Sequence, residues 1–263
     1  MARKTTYRQK YNDKLIAAGE LPQQPLVKRE RVPIDPIIQL HYSEGKVLLI
    51  DKPLHWTSFD VIRKMRGLLQ IKKIGHAGTL DPLATGLLIV CTGKFTKKIN
   101  EYMAAEKEYT GQITLGAVTP TYDLESLPEQ PKDYAHITNE SIVEASKEFI
   151  GTIQQFPPIY AAIKKDGVAL YELARRGEDV KLEARTITIK SFEITSIDLP
   201  NISFKVVCST GTYIRSLAND VGAVLGCGGY LSSLRRERIG EFKAENAMSV
   251  ADFEKSVSAI SQD

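Results

Sequence analysis

The residues best placed to do chemistry fall in one window. Gly75-His76-Ala77-Gly78-Thr79-Leu80-Asp81-Pro82-Leu83-Ala84-Thr85-Gly86 sets three glycines, a histidine, two threonines and a single carboxylate, Asp81, between apolar segments. Glycine adopts positive φ and lets backbone approach a ligand closely, so Gly75, Gly78 and Gly86 point to a shaped loop with a binding task. Asp81 also has a plain structural reading, because Asp followed by Pro is a standard helix start. Arg215 bears on the choice. It falls in the first turn of a predicted helix, where a positive charge opposes the macrodipole and calls for a nearby anion. A phosphate would serve, and so would Asp81, which an arginine would hold ionised and oriented. An arginine bent back to solvent is the alternative. His76, in a Gly-rich loop rather than on an apolar face, suits stacking on a base or binding phosphate. Tyr109 and Tyr213 read as core aromatics on residue type alone.

Several chemistries are excluded by spacing. Six residues separate Gly86 from Gly93-Lys94, and Phe95 follows where a triphosphate-binding loop needs Ser or Thr. Gly226-Cys227-Gly228-Gly229 follows a predicted helix rather than a strand, which rejects a dinucleotide loop. His41, His55 and His136 show no metal-ligand spacing, and Cys91, Cys208 and Cys227 form no Cys-x-x-Cys pair, so neither a zinc site nor a disulfide framework is indicated.

The elements that must position these residues follow from periodicity. Val47 to Asp51 is a short apolar run of strand length. A helix over 59–69, with Ser58 as N-cap, buries Ile62, Met65 and Leu69 and turns Arg63, Lys64 and Arg66 outward. The window 87–92 is a second apolar strand, 94–103 a helix or turn, and 109–115 a half-buried alternating strand. Loop 118–138 is long enough to suspect a function. A helix over 139–150, an extended Pro-Pro segment, a short helix over 168–176 and a hairpin over 186–197 and 202–208 follow. Next come a helix to Leu225 with Ile214, Leu217, Ala218, Val221 and Leu225 buried, a short helix over 231–236, a strand over 239–242 and a terminal helix over 249–258. Hairpins mixed with inserted helices predict an α+β fold with a mixed, mostly antiparallel sheet and flanking helices.

Composition bounds the rest. The chain has 263 residues, 43% hydrophobic and 25% charged, enough for a sizeable core. No apolar run approaches the length of a membrane helix and the N-terminus lacks the apolar core of a signal peptide, so a cytoplasmic protein is expected. The net charge of +3 is uneven: residues 1–32 carry eight Lys or Arg against three Asp or Glu. Such an arm suits contact with phosphate backbone, and a solvated tail is the bland alternative.

The window 75–86 resembles the signature loop of the TruB-type tRNA pseudouridine-55 synthases. Other blocks resemble the family in the same order: Leu49-Ile50-Asp51-Lys52-Pro53, Lys107-Glu108-Tyr109 with Leu115-Gly116, Phe156-Pro157-Pro158-Ile159-Tyr160-Ala161-Ala162-Ile163-Lys164, Gly211-Thr212-Tyr213-Ile214-Arg215-Ser216-Leu217, and Leu231-Ser232-Ser233-Leu234-Arg235-Arg236. The resemblance covers roughly 46–243. It implies a cofactor-free and metal-free isomerisation in which the T-loop uridine of tRNA is flipped out, its glycosidic bond is broken and the base is rejoined through C5. It makes Asp81 the nucleophile, Tyr109 the residue that stacks on the base and takes the C5 proton, and Arg215 the partner of Asp81. His76 would contact the flipped region, and Lys52, Lys164, Tyr213 and Leu231 would line or support the pocket.

Ala161-Ala162 and Tyr230 depart from the Ser-Ala and His that many members carry. The expected organisation is a basic arm at 1–45, a catalytic domain at 46–245 and a C-terminal helix or tail at 246–263, without the RNA-binding PUA domain found in many members. The arm would then supply part of the backbone affinity. The implied partner is the T-arm of tRNA, bound by a monomer with no membrane and no obligate protein partner. Two competitors are an RNA chaperone that refolds tRNA with catalysis secondary, and the guide-RNA-dependent branch of the superfamily, disfavoured by the lack of a PUA domain and of a long basic C-terminal tail.

Overall fold

The computed structural model describes residues 34–160, 164–165, 168–169 and 182–260. The basic arm at 1–32, Ala161-Ala162, the side chain of Lys164 and most of the helix predicted over 168–176 lie outside them. Val168–Ala169 is a short strand paired with Lys164–Lys165.

The elements run α1 (Pro36–Glu44), β1 (Val47–Lys52), α2 (Ser58–Leu69), β2 (Ile74–Ala77), β3 (Ala84–Thr92), a 3-10 turn (Gly93–Lys98), α3 (Ile99–Ala104), β4 (Lys107–Leu115), α4 (Asn139–Lys147), β5 (Gly151–Gln155), β6 (Lys164–Lys165), β7 (Val168–Ala169), β8 (Arg185–Asp198), β9 (Asn201–Cys208), α5 (Ile214–Val224), β10 (Gly229–Ile239), β11 (Phe242–Lys243), a 3-10 turn (Ala244–Asn246), β12 (Met248–Ser249) and α6 (Val250–Ile260). The main sheet is ordered β12-β1-β3-β10-β4-β9-β8-β5, with β2 on β3 and β11 on β10. Its pairings are antiparallel except β1 with β12 and β3 with β10. This is the mixed, mostly antiparallel α+β sheet expected.

β3 is central, and its continuous apolar run is explained by burial on both faces. Leu88 and Val90 pack with Val61, Ile62 and Met65 of α2 and Val250 and Phe253 of α6. Leu87, Ile89 and Cys91 pack on the other side with Ile239 and Ala244. The far half of the sheet, β4, β9 and β8, packs Ile113, Phe204 and Phe192 against Ile142 of α4 and Leu217 and Val221 of α5. Ile214, Leu217, Ala218 and Val221 of the stripe predicted for α5 are buried on it, and Leu225 is buried at its C-cap. No described helix is long and apolar enough to cross a membrane.

Four expectations are corrected. The strand read over 239–242 is the tight turn Gly240-Glu241 that joins β10 to β11. Pro36–Glu44, read as part of an unstructured arm, is a helix capped by Asp35 with Pro at its start. Thr57, not Ser58, caps α2, through a reciprocal capping box with Asp60. The segment 231–236, expected to be helical, is strand β10, paired on both sides. A β-bulge between Leu231 and Ser233 places Leu231 opposite Ile113 and Leu234 opposite Gly111, on one face although three residues apart. That spacing imitates a helix turn.

A candidate active site around Asp81

Asp81 does not start a helix. Its carbonyl accepts from the Ala84 N–H at 3.1 Å, closing a turn that feeds directly into β3. Four neighbours fix this loop. Ser58, freed from capping, hydrogen-bonds Leu80 twice: its Oγ accepts from Leu80 N at 2.8 Å and donates to Leu80 O at 3.3 Å. Pro82 O accepts from His55 N at 2.8 Å. Lys52 Nζ reaches Trp56 O at 2.6 Å, Pro53 O at 3.0 Å and Pro82 O at 3.5 Å. Arg236 Nη2 donates to Gly78 O at 3.0 Å. Gly86, at φ 97°, lets β3 approach β10 so closely that a Cβ there would sit 2.3 Å from the Arg236 carbonyl oxygen.

Arg215 meets the carboxylate from α5. Its Nε lies 3.0 Å from Asp81 Oδ2, and its Nη2 donates to Oδ1 at 3.2 Å. Nη1 donates to Thr121 O at 3.2 Å, and Asp123 Oδ2 stands 3.7 Å from Nε. The arginine and Asp123 are buried, with side chains 6% and 4% exposed, whereas Asp81 is 38% exposed and faces the opening. Burial works against the Arg215 charge, but Asp81 and Asp123 outweigh it and raise its pKa. Burial lifts the Asp123 pKa against the pull of Arg215. Gln155, at the end of β5, clamps the start of α5: its amide accepts from Tyr213 N at 2.8 Å and donates to Tyr213 O at 3.1 Å.

The opening is a cleft of about 540 Å³ lined by Asp81, Tyr109, Tyr213 and Arg215, together with Leu234 and Arg236. Its size suits one extruded nucleotide. Tyr109, on β4, is buried, and burial raises its phenol pKa while Arg236 lowers it. Burial also raises the phenol of Tyr213.

The remaining residues singled out in the sequence sit elsewhere. Lys52 is fully buried and wrapped in carbonyls, so it supports the loop instead of lining the pocket; burial, with Arg236 adding to it and Asp81 opposing, pulls its pKa down to about 8. His76 lies on β2, opposite Val90 of β3 and outside the cleft lining, with a buried Nδ1 that has no hydrogen-bond partner among the described residues. Burial and the nearby Arg236 lower its pKa. Leu231 lines a crevice of about 10 Å³ beside Asp81 and Asp123, while Leu234 reaches the cleft.

Sequence reasoning passed over Asp123, Gln155, Ser58 and Arg236. The length of loop 118–138 was the available signal for Asp123. For Arg236 it was the position of two arginines after Leu234 in a matched block, concealed by the helical misreading of β10.

Two family models together match the chain from residue 66 to its last residue. The model described as TruB family pseudouridylate synthase, N-terminal domain, matches residues 66–214, and the tRNA pseudouridylate synthase B C-terminal domain matches 215–263. The chain is similar to the tRNA pseudouridine synthase B of Flavobacterium johnsoniae, at 55% identity over 82% of this chain and 97% of that one. The protein of the same name from Phocaeicola vulgatus is 48% identical over 81% and 94%. Among solved structures, a chain of a Cbf5-Nop10-Gar1 complex superposes with a TM-score of 0.65 at 29% identity, covering 90% of this chain; the match spans 64% of that longer chain.

Proposed function

The chain belongs to the TruB family of pseudouridylate synthases, and on that premise we propose how its site works. It is an isomerase that converts uridine in tRNA to pseudouridine. The uridine is flipped out of its stack into the cleft, which holds one nucleotide and excludes the rest of the RNA. There Asp81 acts as the nucleophile that drives cleavage of the bond between N1 and C1′. The freed base turns within the cleft, C5 bonds to C1′, and the C5 proton leaves.

The observation that carries this reading is the two-point grip of a buried Arg215 on the half-exposed Asp81. It leaves the carboxylate charge-paired, fixed in direction and open to substrate. Tyr109 and Tyr213 supply flat apolar walls for the base. The uridine is position 55 of the T-loop, and the enzyme works as a cytoplasmic monomer whose arm at 1–45 adds affinity for the phosphate backbone.

The test is tritium release from tRNA labelled at uridine C5. Wild type releases tritium and Asp81→Asn, which keeps the size and removes the charge, does not. Absence of release from wild type despite tight tRNA binding would favour a folding chaperone instead.

A further inference from the structure

Two arginines are buried in the wall of the cleft, and they are compensated differently. Arg215 faces two carboxylates. Arg236, 1% exposed, has no ion pair with a carboxylate among the described residues: its Nε donates to Leu87 O at 2.8 Å and its Nη2 to Gly78 O at 3.0 Å, and it lines the same cleft as Tyr109, whose phenol pKa it pulls down against burial. The register of β10 on β4 sets Arg236 directly across from Tyr109. A guanidinium removed from water without a counter-ion is costly, and carbonyl oxygens neutralise only part of its charge. The charge is therefore free to stabilise an anion formed during the reaction. The ionisable group directly across the sheet from it is Tyr109.

We propose that Arg236 is a positioning residue that holds Tyr109 as the phenolate which takes the C5 proton at the end of the isomerisation. This rests on reading the chain as a pseudouridine synthase with Tyr109 against the base. Tyr109 first gives its own proton to solvent. Once C5 has bonded to C1′, the phenolate oxygen takes the proton from C5, the C5–H electron pair closes the C5=C6 bond, the C6=N1 pair moves to N1, and N1 takes a proton from water. The other charged or titratable groups around Tyr109 and its cleft are Asp81 from the loop, Cys208 from β9, Lys107 from β4, Arg185 from β8, Arg215 from α5 and Tyr213 just before it. Burial, Asp81 and Cys208 disfavour the phenolate, so the fixed charge of Arg236 decides how far ionisation is accessible.

The experiment is single-turnover tritium release at saturating tRNA, followed from neutral to alkaline pH, for wild type and Arg236→Gln. The glutamine keeps a donor for the carbonyls and loses the charge. The expected result is a rate that rises with pH and a rising limb displaced to higher pH in Arg236→Gln. Each unit of displacement slows the reaction about tenfold at neutral pH, with half-saturating tRNA unchanged. A lower rate with an unmoved limb makes Arg236 structural and overturns the proposal. So does a weaker tRNA affinity with an unmoved limb, which would assign the charge to a substrate phosphate. Should Arg236→Gln fail to fold, fluorotyrosine at position 109, whose phenol ionises more readily, must move the wild-type limb to lower pH; an unmoved limb overturns the proposal equally. No release from wild type at any pH is a failure of the functional reading itself, distinct from these outcomes.

Discussion

Arg215 grips both carboxylate oxygens of Asp81 and at the same time stands 3.7 Å from Asp123, so one buried cation serves an exposed anion and a hidden one. The hidden carboxylate anchors the guanidinium against withdrawal while Asp81 stays open to the cleft. Arg215→Met removes the shared partner and leaves Asp123 buried and uncompensated. We expect a loss of about 3 to 5 kcal/mol in urea unfolding, the range for breaking a buried pair from one side, with tritium release falling below detection. A stability unchanged from wild type would mean that Asp123 does not depend on Arg215.

Ser58 is the link between α2 and the catalytic loop. Ser58→Ala removes both hydrogen bonds to Leu80 and leaves a buried N–H unpaired, at a cost of about 1 to 3 kcal/mol. Because Asp81 follows Leu80, the same change loosens the carboxylate. Single-turnover rates should fall roughly tenfold or more while tRNA affinity, measured by filter binding, stays near wild type. An unchanged rate would show that His55, Lys52 and Arg236 suffice to hold the loop.

Gly86 sits where β3 pairs in parallel with β10, opposite Arg236. Gly86→Ala combines a positive φ with a Cβ 2.3 Å from the Arg236 carbonyl oxygen, so β10 must move. The expected cost is about 3 kcal/mol or more, with loss of activity because Arg236 and Leu234 shift with the strand. Thermal melting compared with Gly226→Ala separates the two causes: Gly226 also has positive φ, but a Cβ there meets nothing within 4 Å.

How much of this was legible in the sequence depends on how local each signal is. The apolar run of β3 and the stripe of α5 depend on a few consecutive residues, and both stand as read. The pairing of Arg215 with Asp81 was within reach because a cation in the first turn of a helix demands an anion from somewhere, and the glycine-rich loop offered one. β10 was misread because a bulge changes side-chain periodicity from two to three, and a helix is the commoner cause of that spacing. Gln155 and Ser58 were missed for another reason. They act through backbone groups of distant segments, Tyr213 and Leu80, which carry no side-chain signature in the sequence.

Lys52 offers a prediction in which the sign can be worked out in advance. Its pKa in the folded protein is about 8, against 10.5 for the free side chain, because burial disfavours the charged form. Between those values the unfolded chain binds more protons than the native one, so raising the pH stabilises the fold. At neutral pH Lys52 is charged in both states and its desolvation penalty is fully present; the penalty is relieved as pH rises through about 8 and is nearly gone above 10.5. Other groups titrate in the same window, so the quantity to follow is the difference between wild type and Lys52→Met in urea unfolding. Lys52→Met lacks the three hydrogen bonds to Pro53, Trp56 and Pro82, a loss that does not depend on pH. The difference should therefore move in favour of wild type by about 2 to 3 kcal/mol between neutral pH and pH about 10. A difference that stays flat over that range would mean that the carbonyl cage keeps Lys52 charged as readily as water does, and the loop would then owe its fixed position to a permanent cation.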